Sequence, residues 1–117
     1  MGEVKRGKVS GQHNWVQMYL QEKTGHFNYK GYAKTVAYAS DVTGLKMNYE
    51  WDGDRKCGGS VLVGSTPELE MALATVWFKA RPNASCPLKL GNKNIAYKTY
   101  SFRYRGYDYL GTAYPEI

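Results

Sequence analysis

The chain has 117 residues, 43% hydrophobic and 22% charged, and 16 basic against 10 acidic side chains give a net charge of +6. That composition excludes overall disorder, and the length excludes two large independent domains. No apolar run approaches the roughly 18 residues of a membrane span, and two cysteines, Cys57 and Cys86, leave one bridge or two free thiols rather than a disulfide framework.

The opening segment, Gly2 to Gly11, is polar and basic through Lys5, Arg6 and Lys8, and reads as an exposed loop or short hairpin. It lacks the apolar stretch of a signal peptide. Ser10 can cap a helix on which Trp15, Met18, Tyr19 and Glu22 fall at helical spacing before Gly25 stops it. Trp15, Met18 and Tyr19 would pack on a sheet. A strand is expected over 32–39 and a turn at Asp41-Val42-Thr43-Gly44. Leu45, Met47, Tyr49 and Trp51 then alternate with Lys46, Asn48 and Glu50, the pattern of a half-buried strand. Asp52-Gly53 marks a tight turn, and Val61-Leu62-Val63 the returning strand.

Ser65-Thr66-Pro67-Glu68 opens a second helix with a hydroxyl cap, a first-turn proline and acids at the positive end. Leu69, Leu73, Val76, Trp77 and Ala80 form one stripe, flanked by Met71, Ala72 and Phe78, so this helix is expected to be central and buried. Arg81-Pro82-Asn83 ends it. Strands follow at Leu88 to Leu90, past a Gly91-Asn92 turn from Ile95 to about Tyr104, and from Tyr109 to Tyr114. On the long one, Tyr100, Phe102 and Tyr104 face one way and Ser101, Arg103 and Arg105 the other. Tyr49 and Tyr100 read as core or strand residues. The class is α+β: antiparallel sheets with one N-terminal helix and one central buried helix.

Aromatic side chains make up 15% of the chain, mainly eleven tyrosines. Rings on a basic chain suit a polyanion, nucleic acid ahead of membrane, but composition alone favours a tyrosine-rich β core under a solvated basic surface. Only two histidines limit acid–base schemes. His13 lies on or just before a helix N-terminus, whose positive end disfavours the imidazolium and leaves the ring able to accept a proton. The same position also suits packing or capping. His26 reads as a structural loop residue. Lys56 precedes Cys57-Gly58-Gly59-Ser60, where glycines admit a ligand and Ser60 offers a hydroxyl, or it is a solvated lysine on a hairpin rim. Glu50, Asp52 and Asp54 lack the later ligands of a calcium loop. Gly111-Thr112-Ala113-Tyr114-Pro115 puts a hydroxyl and a ring on one strand face, fit to grip a base or to finish a sheet. A neutral histidine, a lysine and hydroxyl–aromatic pairs are the parts of an RNA-cleaving site that uses the substrate's own 2′-hydroxyl.

Several blocks resemble the EndoU endoribonucleases: Val9-Ser10-Gly11-x-His13-Asn14-Trp15, Asn28-Tyr29-Lys30-Gly31-Tyr32, Trp51-Asp52-Gly53 with Lys56, Gly64-Ser65-x-Pro67-Glu68, Ala80-Arg81-Pro82 and the closing Gly111-Thr112-Ala113-Tyr114-Pro115. The resemblance runs over essentially the whole chain. It implies uridylate-preferring cleavage of single-stranded RNA, leaving 2′,3′-cyclic phosphate ends, with manganese as cofactor and no obvious ligand cluster for it in the sequence. His13 matches the family's second catalytic histidine and Lys56 its lysine. Ser60 resembles the serine that contacts uracil in the related coronavirus enzyme. Thr112 and Tyr114 match residues that hold the nucleotide, and Glu3 the acid that closes the Glu-His-Val-Phe-x-Gly-Glu motif. The motif's histidine and the mostly helical N-terminal lobe have no counterpart in residues 1–117. The expectation is therefore the C-terminal, catalytic portion of an EndoU domain, monomeric and without a membrane partner. The alternative is an RNA-binding remnant that has lost cleavage. Asn83-Ala84-Ser85 is a glycan acceptor only in an exported chain.

Overall fold

The computed structural model describes residues 2–117. In chain order it comprises β1 (Gly2–Lys5), β2 (Lys8–Gly11), α1 (Trp15–Lys23), β3 (Phe27–Ala37), β4 (Thr43–Trp51), β5 (Asp54–Val63), α2 (Pro67–Ala80), β6 (Ser85–Leu90), β7 (Lys93–Tyr104) and β8 (Tyr107–Glu116). The strands pair antiparallel as β1-β2, β3-β4-β5 and β6-β7-β8. The α+β class and the antiparallel sheets are as the sequence implies. No helix among the described residues is long and apolar enough to cross a membrane.

The opening segment is a hairpin, and Ser10 lies in β2 opposite Glu3 rather than capping a helix. Asn14 is the cap: its side-chain oxygen accepts from the Gln17 amide at 2.9 Å. Of the rings expected on the sheet, Trp15 donates its indole N–H to the Ser65 carbonyl at 2.7 Å, while Tyr19 is half exposed. Met18 fills the place beneath α1. Strand β3 begins earlier than expected, at Phe27, and the turn before β4 is shorter, because Thr43 and Gly44 already pair with Ala37 and Val36.

Strand β5 joins two cores. Val61 points into one formed with Val9, Met18, Phe27, Met47 and Tyr49. Leu62, its neighbour, points into another formed with Tyr38 and Ile95. Successive strand residues face opposite ways, so a pair that is 0% and 1% exposed shows the strand covered on both sides. Each such side chain is worth about 1.5–3 kcal/mol of burial.

The second helix begins as its sequence implies. Thr66 accepts from the Leu69 amide at 3.2 Å, and Pro67 occupies the first turn. Its burial is a correction: α2 packs on β7 through one face, with Ala74 buried, while Leu69, Met71 and Val76 are exposed. The apolar sequence all round the helix exceeds what this chain covers. Strand β6 reaches back to Ser85, and β8 runs from Tyr107, paired to Tyr104 across a two-residue Arg105-Gly106 turn. Tyr100, expected to be a core or strand residue, lies in β7 and is 38% exposed. Cys57 is exposed and Cys86 buried, and both are free thiols. The Asn83 amide nitrogen donates to the Ser101 hydroxyl at 2.9 Å.

Gly64 links β5 to the α2 cap with φ +94°, and a Cβ there would stand 1.8 Å from the Asp41 carbonyl oxygen. That contact is with backbone and has no side chain to rotate away. Gly64→Ala is expected to lower unfolding free energy by more than about 2 kcal/mol. Thr66→Ala, which removes only the cap, should cost about 1 kcal/mol. Urea unfolding checks both, and equal midpoints for the two variants would contradict the clash.

Candidate active site

The residues between β2 and α1 bring His13 to the edge of β5. Gln12 turns the chain with a left-handed φ of 58° and is 2% exposed, and its carbonyl accepts from the Tyr49 hydroxyl at 3.2 Å. Asn14 then starts α1 and also donates to Glu70 at 3.4 Å, tying the two helix starts together. Between these anchors His13 Nδ1–H donates to the Ser60 carbonyl at 2.8 Å. That bond fixes the tautomer and leaves Nε2 unprotonated, with its lone pair as an acceptor.

Lys56 reaches the same place from β5. Its Nζ donates to the Gly11 carbonyl and lies 3.5 Å from His13 Nε2. A bulge in β5 aims it there. Ser60 pairs with Lys46 and Gly59 with Met47, yet Lys56 pairs with Tyr49, so Cys57 and Gly58 together oppose Asn48. Gly58 takes φ +71° within the bulge and donates its amide to the Asn48 side chain at 2.9 Å. By register, Lys56 therefore shares the sheet face of Tyr49, and Ser60 that of Lys46.

Both basic groups are held below their ordinary pKa. Burial, followed by the Lys56 ammonium, lowers His13 to about 4, against the opposing pull of the Ser60 carbonyl. Burial lowers Lys56 to about 8. His13 is thus neutral at pH 7, as its position in the sequence suggests, but desolvation rather than the helix end is the leading cause.

From the third sheet, Tyr114 stacks on the His13 imidazole, with centroids 5.0 Å apart and planes at 24°. Together they line an open cleft of about 620 Å³ with Lys56, Ser60 and Thr112. Five of the six site residues expected from the sequence therefore meet. The sixth, Glu3, does not: it is exposed on β1 and ion-paired to Lys5 at 2.9 Å. Ser60 is present but 5% exposed, its hydroxyl donated to the Pro115 carbonyl at 2.6 Å. It braces β5 against β8, and its oxygen retains acceptor capacity. His26 is outside the cleft, bound to Asp52 at 2.5 Å.

Lys46 and Glu116 also line the cleft and were not singled out in the sequence. Lys46 looked like the solvent face of a half-buried strand. Its register opposite Ser60 is the only sequence-distant signal, and it needs the pairing to be known. For manganese, the described residues bring together no group of three or more His, Cys, Asp or Glu side chains able to hold an ion. Glu50, the first acid of the calcium-like stretch, is instead bound to Lys30 and Arg55. Among the described residues the donor set does not by itself fit a protein-held metal.

The family model "Endoribonuclease XendoU" matches residues 1–115. The chain is 43% identical to a mouse uridylate-specific endoribonuclease over 97% of its own length and 28% of that protein's. It is 37% identical to a Xenopus laevis poly(U)-specific endoribonuclease-B, covering all of this chain and 41% of that one. A solved structure of XendoU, described as a splicing-independent snoRNA processing endoribonuclease, superposes with a TM-score of 0.69 and 36% identity over 97% of this chain and 42% of that one. The chain thus spans well under half the length of these relatives. Sequence, fold and the match along nearly every residue agree: the chain belongs to the XendoU endoribonuclease family, the EndoU family of the sequence resemblance.

Proposed function

We propose that this chain is the C-terminal portion of an EndoU domain that, as a monomer, cleaves single-stranded RNA at uridylates and leaves 2′,3′-cyclic phosphate ends. The observation that carries the reading is the pair formed by His13 Nε2 and Lys56 Nζ, 3.5 Å apart in an open cleft. His13 accepts the proton of the 2′-hydroxyl as that oxygen attacks phosphorus. The bond from phosphorus to the 5′-oxygen breaks, and the cyclic phosphate forms. Lys56 stabilises the charge that builds on the phosphorane. The proton for the departing 5′-oxygen comes from a group other than these two, which the resemblance identifies as the histidine of the Glu-His-Val-Phe motif. Thr112 supplies a hydroxyl and Tyr114 a ring for the nucleotide, and Ser60 keeps an acceptor for uracil. No step is routed through manganese.

A second reading, RNA binding without cleavage, is favoured by one observation. His26 lies outside the cleft, so among the described residues His13 is the single imidazole in it.

A fluorogenic RNA containing one uridine separates these readings. In the cleaving reading His13→Ala lowers the rate by about 100- to 10,000-fold with RNA affinity within about threefold. An RNA bound tightly but never cut, even with the segment that carries the Glu-His-Val-Phe histidine joined to the chain, would leave the remnant reading in its place.

The pH profile tests the assigned roles independently. Neutral His13 is required, so the rate should rise as pH passes about 4, and charged Lys56 is required, so it should fall above about 8. Lys56→Arg, charged at every accessible pH, should remove the alkaline decline while the acid limb stays. An alkaline limb unmoved by that substitution would assign it to another group.

A further inference from the structure

The sheet face that carries Thr112 and Tyr114 extends well beyond the cleft. Cross-strand partners in an antiparallel pair point to the same side. Tyr114 pairs with Lys98 and Thr112 with Tyr100, so all four share one face of β7-β8. Past a bulge at Gly111, Phe102 pairs with Tyr109 and Tyr104 with Tyr107, and alternation along β7 keeps them on that same face. The opposite face, with Ile95, Tyr97 and Thr99, is buried, and α2 packs on that strand. Within residues 2–117 five rings are exposed on the cleft side: Tyr100, Phe102, Tyr104, Tyr107 and Tyr109 are 38%, 55%, 53%, 70% and 52% exposed.

We infer that this face is a stacking track for single-stranded RNA, which takes the nucleotides flanking the one held in the cleft. The inference rests on the cleft being an RNA site. Continuity is the first argument for this occupant. The ladder starts at the imidazole, passes to Tyr114, and reaches Tyr100 with centroids 6.3 Å apart and planes at 27°. The partners of Tyr107 and Tyr114, Tyr104 and Lys98, lie six positions apart on β7, which at about 3.3 Å each gives a platform about 20 Å long, enough for several bases.

Charge is the second argument. Lys98 lies 5.1 Å from the Tyr100 ring centre and Arg105 5.2 Å from that of Tyr104, so cations accompany the rings at both ends. The acid at the cleft end, Glu116, is engaged by the Ser85 hydroxyl. Asp108 pairs in register with Arg103, on the other face, and is bound to it at 3.2 Å. Rings with a cation at each end, and a single carboxylate at the cleft end, suit unpaired bases on a phosphate chain, and every base offers a π-face.

The test uses the whole chain and 2′-O-methylated RNA, which cannot be cut. Probes are a long oligouridylate, the dinucleotide uridylyl-uridine and an RNA duplex. Phe102→Ala, Tyr107→Ala and Tyr109→Ala together should weaken the long strand about tenfold or more, leave the dinucleotide unchanged, and have no effect on the duplex. Tyr107→Ala alone, at the most exposed ring, gives a smaller loss in the same direction. Phenylalanine at 107 and 109 should keep the long-strand affinity, because the ring and not its hydroxyl carries the contact. Equal affinity of the triple variant and the unsubstituted chain for the long strand overturns the track while dinucleotide binding still supports the cleft. Failure of the unsubstituted chain to bind either single-stranded probe overturns both.

Discussion

Ser60 makes two hydrogen bonds to parts of the chain far from it in sequence. Its carbonyl accepts from His13 and its hydroxyl donates to Pro115, so one residue ties the segment before α1 and the last strand to β5. Each bond contributes only about 1 kcal/mol net to stability. Their larger effect is positional. Val61 and Leu62, the next two residues, are sunk in separate cores, so Ser60 has no freedom to slide. The imidazole, the lysine on the same strand and the ring of Tyr114 are referred to one rigid point, as a preorganised site requires.

Desolvation is the second organising effect. Burial, the first cause for both groups, lowers the affinity of His13 and of Lys56 for protons. It leaves the histidine an acceptor and the lysine still charged near neutrality. A helix end alone gives a much smaller bias, because its field fades within the first turn. Proximity adds to the effect, since the Lys56 ammonium disfavours a second positive charge beside it. One placement thus sets a proton acceptor and a charge stabiliser against each other.

Much of this was legible in the sequence, for identifiable reasons. The Asp52-Gly53 turn, the alternation from Leu45 to Trp51 and the Thr66-Pro67 helix start are local signals, and each is found where the residues place it. Ser10 misled because a hydroxyl before an apolar run fits a cap, while pairing with Glu3, a tertiary fact, claims it for β2. The stripe on α2 misled because hydrophobicity reports what a helix can bury and not what this chain lays over it. Lys46 could not be read as a cleft residue without the β4-β5 register. Glu3 shows the reverse limit: motif position identifies it, yet here its carboxylate faces Lys5 and solvent. The paired glycines suggest room for a ligand, whereas the bulge at Gly58 and the side chain it redirects emerge only from the β4-β5 register.

The two bonds of Ser60 close separations of 47 and 55 residues. The β1-β2, β4-β5 and β7-β8 hairpins, by contrast, need only short turns, and their pairing is inexpensive in loop entropy. Closing contacts so distant in the chain costs more loop entropy than closing a hairpin. A molecule with all three hairpins in register, but not yet docked, would hold His13 in water, protonated more readily and far from Lys56. The geometry of the cleft in this architecture is therefore a property of docking, and a chain with undocked hairpins carries the cleft's side chains without their arrangement.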